Sequence, residues 1–160
     1  MSEDVKVVAE EIRGILLPVG ARSLLLPNAA VAELIVYREG AETRDGSSPD
    51  WLLGEIEWRG RRIPLVSFEV AAGRKRADTG TRRARIAVLN TPSGNEALPY
   101  IGVLTLGISR LVRITPENLD ADDDDPSVIT ALIHKAATIN GQGVWIPNLD
   151  ALEAMVAQAG

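Results

Sequence analysis

The feature that most constrains the fold is a series of short apolar runs separated by Gly, Pro, Asn and Asp. The runs cover 15–19, 22–26, 34–37, 53–58, 61–66, 85–89, 100–106, 108–114, 134–139 and 144–146. They are too short for packed helices, and their Val, Ile and Leu content is typical of strands that are buried on at least one face. The sequence therefore predicts an all-β protein of about ten strands, more than one small barrel uses.

Length and composition indicate one folding unit. A chain of 160 residues, 46% hydrophobic and 24% charged, is an ordinary globular domain or two small lobes that share a core. No composition shift marks a linker, and each half of the chain is long enough for a small barrel. We expect a single domain over residues 14–160, preceded by a tail or short helix over residues 1–13.

Local signals place the turns and the few helices. Gly20-Ala21 and Arg59-Gly60 are candidate hairpin turns, because glycine adopts a positive φ at little cost. Short helical segments are expected around 28–33 and over 67–72, and a longer C-terminal helix is expected from Asn148 onward, which is a capping residue. Loops are expected over 38–50, 73–84 and 120–127.

Charge is distributed unevenly along the chain. The net charge of −5 disfavours attraction of the whole molecule to nucleic acid or anionic lipid, yet the segment 59–85 carries +7 and the remainder −12. This asymmetry favours binding to charged protein partners, which complementary charges orient, although a solvated loop over 73–84 explains part of it equally well. A nucleic-acid module would add interleaved aromatic residues, and only Trp58 and Phe68 lie nearby.

No pattern for catalysis, metal binding or cofactor binding is found. The chain has no Cys and one His, so thiolate chemistry is excluded and a catalytic triad would depend on His134 alone. An acidic run starts like a calcium loop at Asp120, but Asp125 replaces the required Gly and Ala131 the twelfth-position Glu. The sequence predicts a protein that is not an enzyme and that uses no metal and no cofactor.

The N-terminal residues bear on location. The start is acidic where a secretory signal would be basic, and the apolar stretch 14–21 is bounded by Arg13 and Arg22 and too short to cross a bilayer. We expect a cytoplasmic protein without membrane insertion.

Several sequence blocks together resemble the CheW-like domain family, over roughly residues 14–156. The stretch 49–66 reads PDWLLGEIEWRGRRIPLV, with the Arg-Gly turn and the apolar-Pro-apolar strand of that family. Three segments of the chain resemble the family's opening strands and their continuation: ILLPV at 15–19, LLLP at 24–27 and VAEL at 31–34. The segment 100–114 resembles a long second-half hairpin, and VWIPNLD at 144–150 resembles the closing strand and helix.

The resemblance implies two SH3-like five-stranded β-barrels packed around a shared hydrophobic core, with a C-terminal helix. It implies a non-enzymatic adaptor, monomeric when free, that couples chemoreceptor cytoplasmic tips to the regulatory domain of a CheA-type histidine kinase at receptor arrays on the inner face of the membrane. LLLPNAAVAE at 24–33 is most similar to ChpC-type adaptors of type IV pilus chemosensory systems, which would make twitching motility the output. The alternatives are a CheW-like module that serves another kinase or localisation, and a small nucleic-acid-binding module.

The candidate partner-binding residues are Val31, Glu33, Leu34, Trp58, Arg59, Gly60, Arg62, Ile63 and Pro64. The resemblance implies this role for Val31, Glu33, Leu34, Arg59 and Gly60. Arg59 comes first, since a guanidinium binds a carboxylate with two donors, while Gly60 sets the turn geometry. Trp58 and Ile63 are either contact anchors or core residues. Pro64 lacks a ladder donor, which predicts an edge strand.

Overall fold

The structure, a computed structural model, describes residues 12–20, 22–38, 47–74, 84–123 and 130–159. Eleven strands lie within these ranges. They are β1 Ile12–Pro18, β2 Ser23–Pro27, β3 Val31–Val36, β4 Leu52–Trp58, β5 Arg61–Val66, β6 Arg85–Asn90, β7 Tyr100–Thr105, β8 Arg110–Ile114, β9 Leu119–Ala121, β10 Ile133–Ile139 and β11 Gln142–Pro147. The helices are α1, Phe68–Ala71, and α2, Leu149–Ala159, and a 3-10 turn covers Asn28–Ala30.

The strands form two sheets. One has six strands in the order β8-β1-β2-β11-β10-β9, and the other has five in the order β3-β6-β7-β5-β4. The predicted all-β class with two packed lobes is confirmed. However, the lobes are not the two halves of the chain, because β3 to β7 build one lobe while both ends of the chain build the other.

Three apolar clusters explain why the strands carry continuous apolar runs. One cluster draws on both sheets and on α2, and each lobe has a further cluster of its own. Strand β6 lies between two of them: Ala87 and Leu89 face the shared core, whereas Ile86 and Val88 face the interior of the five-stranded lobe. Successive side chains of a strand point to opposite faces, so a strand buried on both faces must be apolar throughout.

The predicted helices are largely confirmed. The Ser67 hydroxyl accepts the Val70 N–H at the start of α1, and the Asn148 side-chain oxygen accepts the Ala151 N–H at 3.0 Å at the start of α2. The helical turn expected over 28–33 is wrong beyond its third residue, because strand β3 begins at Val31. Alternate residues of that segment face the protein, which is the period of a strand and not of a helix.

The chain termini and loops need three corrections. Strand β1 begins at Ile12, so the last two residues of the expected tail belong to the sheet; residues 1–11 lie outside the described residues. The expected loop over 120–127 begins inside strand β9, which pairs with β10. The segment 100–114 is not a hairpin, because β7 and β8 belong to different sheets.

Most of the other expected loops, over 38–50 and 73–84, lie outside the described residues. Across the described ranges, no helix is long and apolar enough to cross a membrane. The same ranges contain no group of three or more acidic or histidine side chains arranged to hold a metal ion. His134 is exposed on strand β10.

Candidate functional site

The Arg-Gly turn joins β4 to β5 as a two-residue hairpin. Trp58 pairs with Arg61 across the turn, and the two residues between them both have positive φ, 48° for Arg59 and 75° for Gly60. Positive φ at both central positions is the signature of a type I′ turn, whose twist matches that of the strands. The predicted hairpin turn is therefore present. Gly60 adopts this backbone freely, whereas a left-handed conformation costs a residue such as Arg59 about 1–2 kcal/mol.

Side chains from opposite edges of the five-stranded sheet meet at this turn. Strands β3 and β4 are the two edges of the sheet, yet Glu33 of β3 contacts both Trp58 and Arg59. The indole Nε1–H of Trp58 donates to Oε1 of Glu33 at 3.1 Å, and Nη2 of Arg59 lies 2.9 Å from the same oxygen. We call this group the Glu33–Trp58–Arg59 clasp. It shows that the sheet curls until its two edges are in side-chain contact.

The clasp has a buried base and an exposed cation. The indole of Trp58 is buried, and Tyr100 packs edge-on against it with 4.8 Å between ring centroids. The guanidinium carbon of Arg59 lies 4.7 Å from the Trp58 ring centroid, a cation–π arrangement. The Arg59 side chain is nevertheless 68% exposed and that of Glu33 is 39% exposed. Since a guanidinium has five N–H donors, Arg59 retains donors for a carboxylate from outside.

The other predicted residues do not join the clasp. Ile63 is buried in the interior of the five-stranded lobe, as Trp58 is, so neither is available as an exposed anchor; burial decides between the two sequence alternatives. Val31 is half-buried against the shared core. Arg62 and Pro64 line a separate hollow beside α2, and Nε of Arg62 lies 3.2 Å from Oε1 of Glu55.

The edge position predicted for Pro64 is wrong. Strand β5 lies between β7 and β4, so it is an inner strand of the sheet. The pairing of β5 with β7 begins at Leu65, one residue after the proline. The missing N–H therefore falls just outside that ladder, which explains how an inner strand tolerates proline.

An apolar hollow of about 220 Å³ lies where the chain passes from one sheet to the other. It is lined by Leu34, Ile35, Val36, Arg85, Gly107, Ile108 and Ser109. The N–H of Leu106 donates to the carbonyl of Pro18 at 2.7 Å, which ties the crossing segment to β1. Leu34, Val36 and Ile108 all remain exposed, and the Ser109 hydroxyl is buried without a hydrogen-bond partner among the described residues.

Among the residues that line this apolar hollow, only Leu34 was predicted from the sequence as a site residue. Val36 follows it at the two-residue spacing that places both side chains on one face of β3. That spacing is visible in the sequence, but the outward direction of the face is not, since it depends on which face of β3 packs against the rest of the lobe. Ile108 had no local signal, because the segment that contains it looked like part of a hairpin.

The structure is thus a β domain of two sheets, whose five-stranded lobe carries an exposed arginine beside a carboxylate and borders an apolar hollow. The chain matches the CheW-like domain family over residues 13–156 and belongs to that family. Its fold is similar to the crystal structure of the scaffolding protein TtCheW from Thermoanaerobacter tengcongensis, with a TM-score of 0.71 and 16% identity. That similarity covers 88% of this chain and 86% of the other, and it supports the predicted two-barrel fold. No curated protein matches the chain.

Proposed function

We propose that this protein is a non-enzymatic adaptor that joins the cytoplasmic tip of a chemoreceptor to the regulatory domain of a CheA-type histidine kinase. The observation that carries the proposal is the family match over residues 13–156. The description of TtCheW as a scaffolding protein supports it. An adaptor of this kind changes kinase activity only if its contacts differ between signalling states of the partners.

Two features of the five-stranded lobe suit such contacts. The hollow beside β3 offers exposed apolar side chains, which exclude water when a partner covers them, and Arg85 at its lining adds positive charge. The clasp offers the exposed guanidinium of Arg59 for a charge-assisted hydrogen bond to a carboxylate. An apolar centre flanked by charged groups is the usual composition of a specific protein interface.

The test is a set of titrations of the chain with a receptor cytoplasmic fragment and with a kinase regulatory domain, first separately and then together. We expect binding to each partner and a ternary complex, because a scaffold must hold both at once. Failure of the wild-type chain to bind either partner would contradict the proposal.

A matched pair of variants locates the contact. Ile108 lines the hollow and Leu111 does not, yet both are 72% exposed. Since both side chains already face water, we expect a stability change of no more than about 0.5 kcal/mol for Asp at 108, outside the strands, and of up to about 1 kcal/mol for Asp at 111, within β8. We expect Ile108→Asp to weaken binding to at least one partner by at least about tenfold, because the carboxylate would be desolvated in an apolar contact. Leu111→Asp should bind as the wild type does.

The proposal includes location and output. A cytoplasmic adaptor of this kind is recruited to receptor arrays at the inner face of the membrane, and the ChpC-like segment 24–33 favours type IV pilus motility as the output. A fluorescent fusion should co-localise with receptors and disperse when the receptors are deleted. Deletion of the protein should alter twitching, and loss of flagellar chemotaxis alone would contradict this part.

A further inference from the structure

We propose that Trp58 is a positioning residue that presets the Arg59 guanidinium for its partner. This inference rests on the proposed adaptor function and deepens it. The observation behind it is that one buried indole makes two different contacts in the clasp: its ring lies under the guanidinium, and its N–H holds the carboxylate that pairs with that guanidinium.

The indole itself is held firmly. Trp58 is buried in the core of the five-stranded lobe, and Tyr100 packs edge-on against its ring. The indole therefore has little freedom to move relative to the sheet. Its Nε1–H fixes Oε1 of Glu33 at 3.1 Å, and Glu33 lies on the opposite edge of the sheet from Trp58.

The guanidinium is held by the indole from one side and by the carboxylate from another. An arginine side chain that is 68% exposed would otherwise sample many rotamers, and a partner would have to immobilise it on binding. In the clasp, the ring of Trp58 and the carboxylate of Glu33 restrict Arg59 before any partner arrives. Part of the side-chain entropy that Arg59 would lose on binding is thus already lost in the free protein. This raises the affinity without any additional contact to the partner.

The experiment is a double-mutant cycle on partner binding. Trp58→Phe keeps an aromatic ring but removes the N–H, and it is measured in the wild-type and Arg59→Ala backgrounds. We expect Trp58→Phe to weaken binding by about 2–10-fold, the range for ordering one long side chain. In the Arg59→Ala background we expect no further weakening, because the group that Trp58 positions is gone.

A matched control separates positioning from packing. Trp145 is also a buried tryptophan, and the guanidinium of Arg74 lies 5.2 Å from its ring centroid, but it belongs to the shared core. Trp145→Phe should lower the melting temperature as Trp58→Phe does while leaving binding unchanged. If Trp58→Phe does not fold, Trp58→Tyr, which also keeps an aromatic ring and lacks the indole N–H, replaces it in the cycle.

A second measurement needs no partner. In the free protein, ¹⁵N relaxation of the Arg59 guanidinium should show restricted motion in the wild type and faster motion in Trp58→Phe. Unchanged guanidinium motion, or an equal loss of binding in both backgrounds of the cycle, would overturn the proposal. If the wild type binds neither partner, the adaptor function fails, and the guanidinium motion alone then decides whether Trp58 positions Arg59.

Discussion

The chain contains two hairpin turns of the same geometry with different first residues. Arg59-Gly60 joins β4 to β5 with φ of 48° and 75°, and Asn140-Gly141 joins β10 to β11 with φ of 50° and 81°. Asn-Gly is the favoured pair for this turn, whereas arginine is a poor choice because its Cβ is strained at positive φ. Exchanging the first residues, Arg59→Asn and Asn140→Arg, therefore separates the backbone preference from the function of the side chain.

The stability terms for Arg59→Asn nearly cancel. Relief of backbone strain contributes about 1 kcal/mol. The substitution removes an ion pair whose side chains are 68% and 39% exposed, worth about 0.2–1 kcal/mol, and an exposed cation–π contact worth about 0.5–1 kcal/mol. We expect the melting temperature to stay within about 4 °C of the wild type. Asn140→Arg adds the backbone strain without the clasp contacts, so it should lower the melting temperature by about 2–4 °C.

The order of the two variants should be reversed for partner binding: Arg59→Asn should lose affinity, although it keeps its stability. Arg59→Asn loses the charge-assisted contact, for which about 1–3 kcal/mol corresponds to a loss of roughly 5–150-fold in affinity. Asn140→Arg should leave the affinity unchanged. Thermal melts and titrations against the receptor fragment and the kinase regulatory domain test both statements. Normal binding of Arg59→Asn to both partners would refute the assignment, and a fall in melting temperature above about 6 °C would show that Arg59 is mainly structural.

Three further predictions follow from other contacts. Combining Glu33→Arg with Arg59→Glu should recover part of the stability that each single variant loses, because the ion pair forms again with its charges exchanged. The double variant should still bind its partners weakly, because the turn then presents a negative charge. Recovery of binding would mean that the pair acts only through the fold. Gly20→Ala should destabilise more than Gly73→Ala in denaturant titrations. Both glycines have positive φ, which costs about 1 kcal/mol, but a Cβ at Gly20 would also overlap the carboxylate of the buried residue Glu69, whereas Gly73 has open space around it; equal losses would contradict the overlap. Addition of 1 mM calcium should not shift the melting temperature, since the acidic run lacks the turn glycine and the last ligand of a calcium loop, and a saturable shift would prove otherwise.

The sequence predicted the parts of the fold that depend on local pattern. Apolar runs predicted the strands, and the capping residue Asn148 predicted the start of the C-terminal helix, because these signals lie within a few residues. Pairings between strands that are distant in the sequence could not be predicted, because no local pattern encodes them. Strand β2 lies beside β11 through the pair Leu24 and Trp145, and nothing near either residue indicates the other. The crossing at Gly107 looked like a hairpin for the same reason, since a glycine between two apolar runs has the same local pattern whether the chain turns back or changes sheet.

The candidate site was predicted in pieces. The Arg-Gly pair was a local turn signal, and Glu33 came from the resemblance to the family, but their contact depends on the two sheet edges meeting. Alternation explains why four neighbouring predictions separated: Trp58 and Ile63 point into the lobe, while Arg62 and Pro64 line a hollow on its surface. A sequence signature records which residues occur together along the chain, and it does not record which face each one occupies.

The way in which the five-stranded lobe closes bears on how an adaptor can respond to its partners. Its inner strands are joined by backbone ladders, and β6 and β7 are buried on both faces, so disturbing them costs a large part of the folding energy. Its two edges meet instead through the Glu33–Trp58–Arg59 clasp, where single contacts are worth about 1 kcal/mol. A partner carboxylate that binds the remaining donors of Arg59 while Glu33 keeps its contact therefore acts on this side-chain joint and on strand β3, which also carries Leu34 and Val36 of the apolar hollow. Binding at the turn would thus act on the strand that lines the hollow and not on the shared core, because one charge-assisted hydrogen bond is comparable in energy to the clasp contacts that hold this edge.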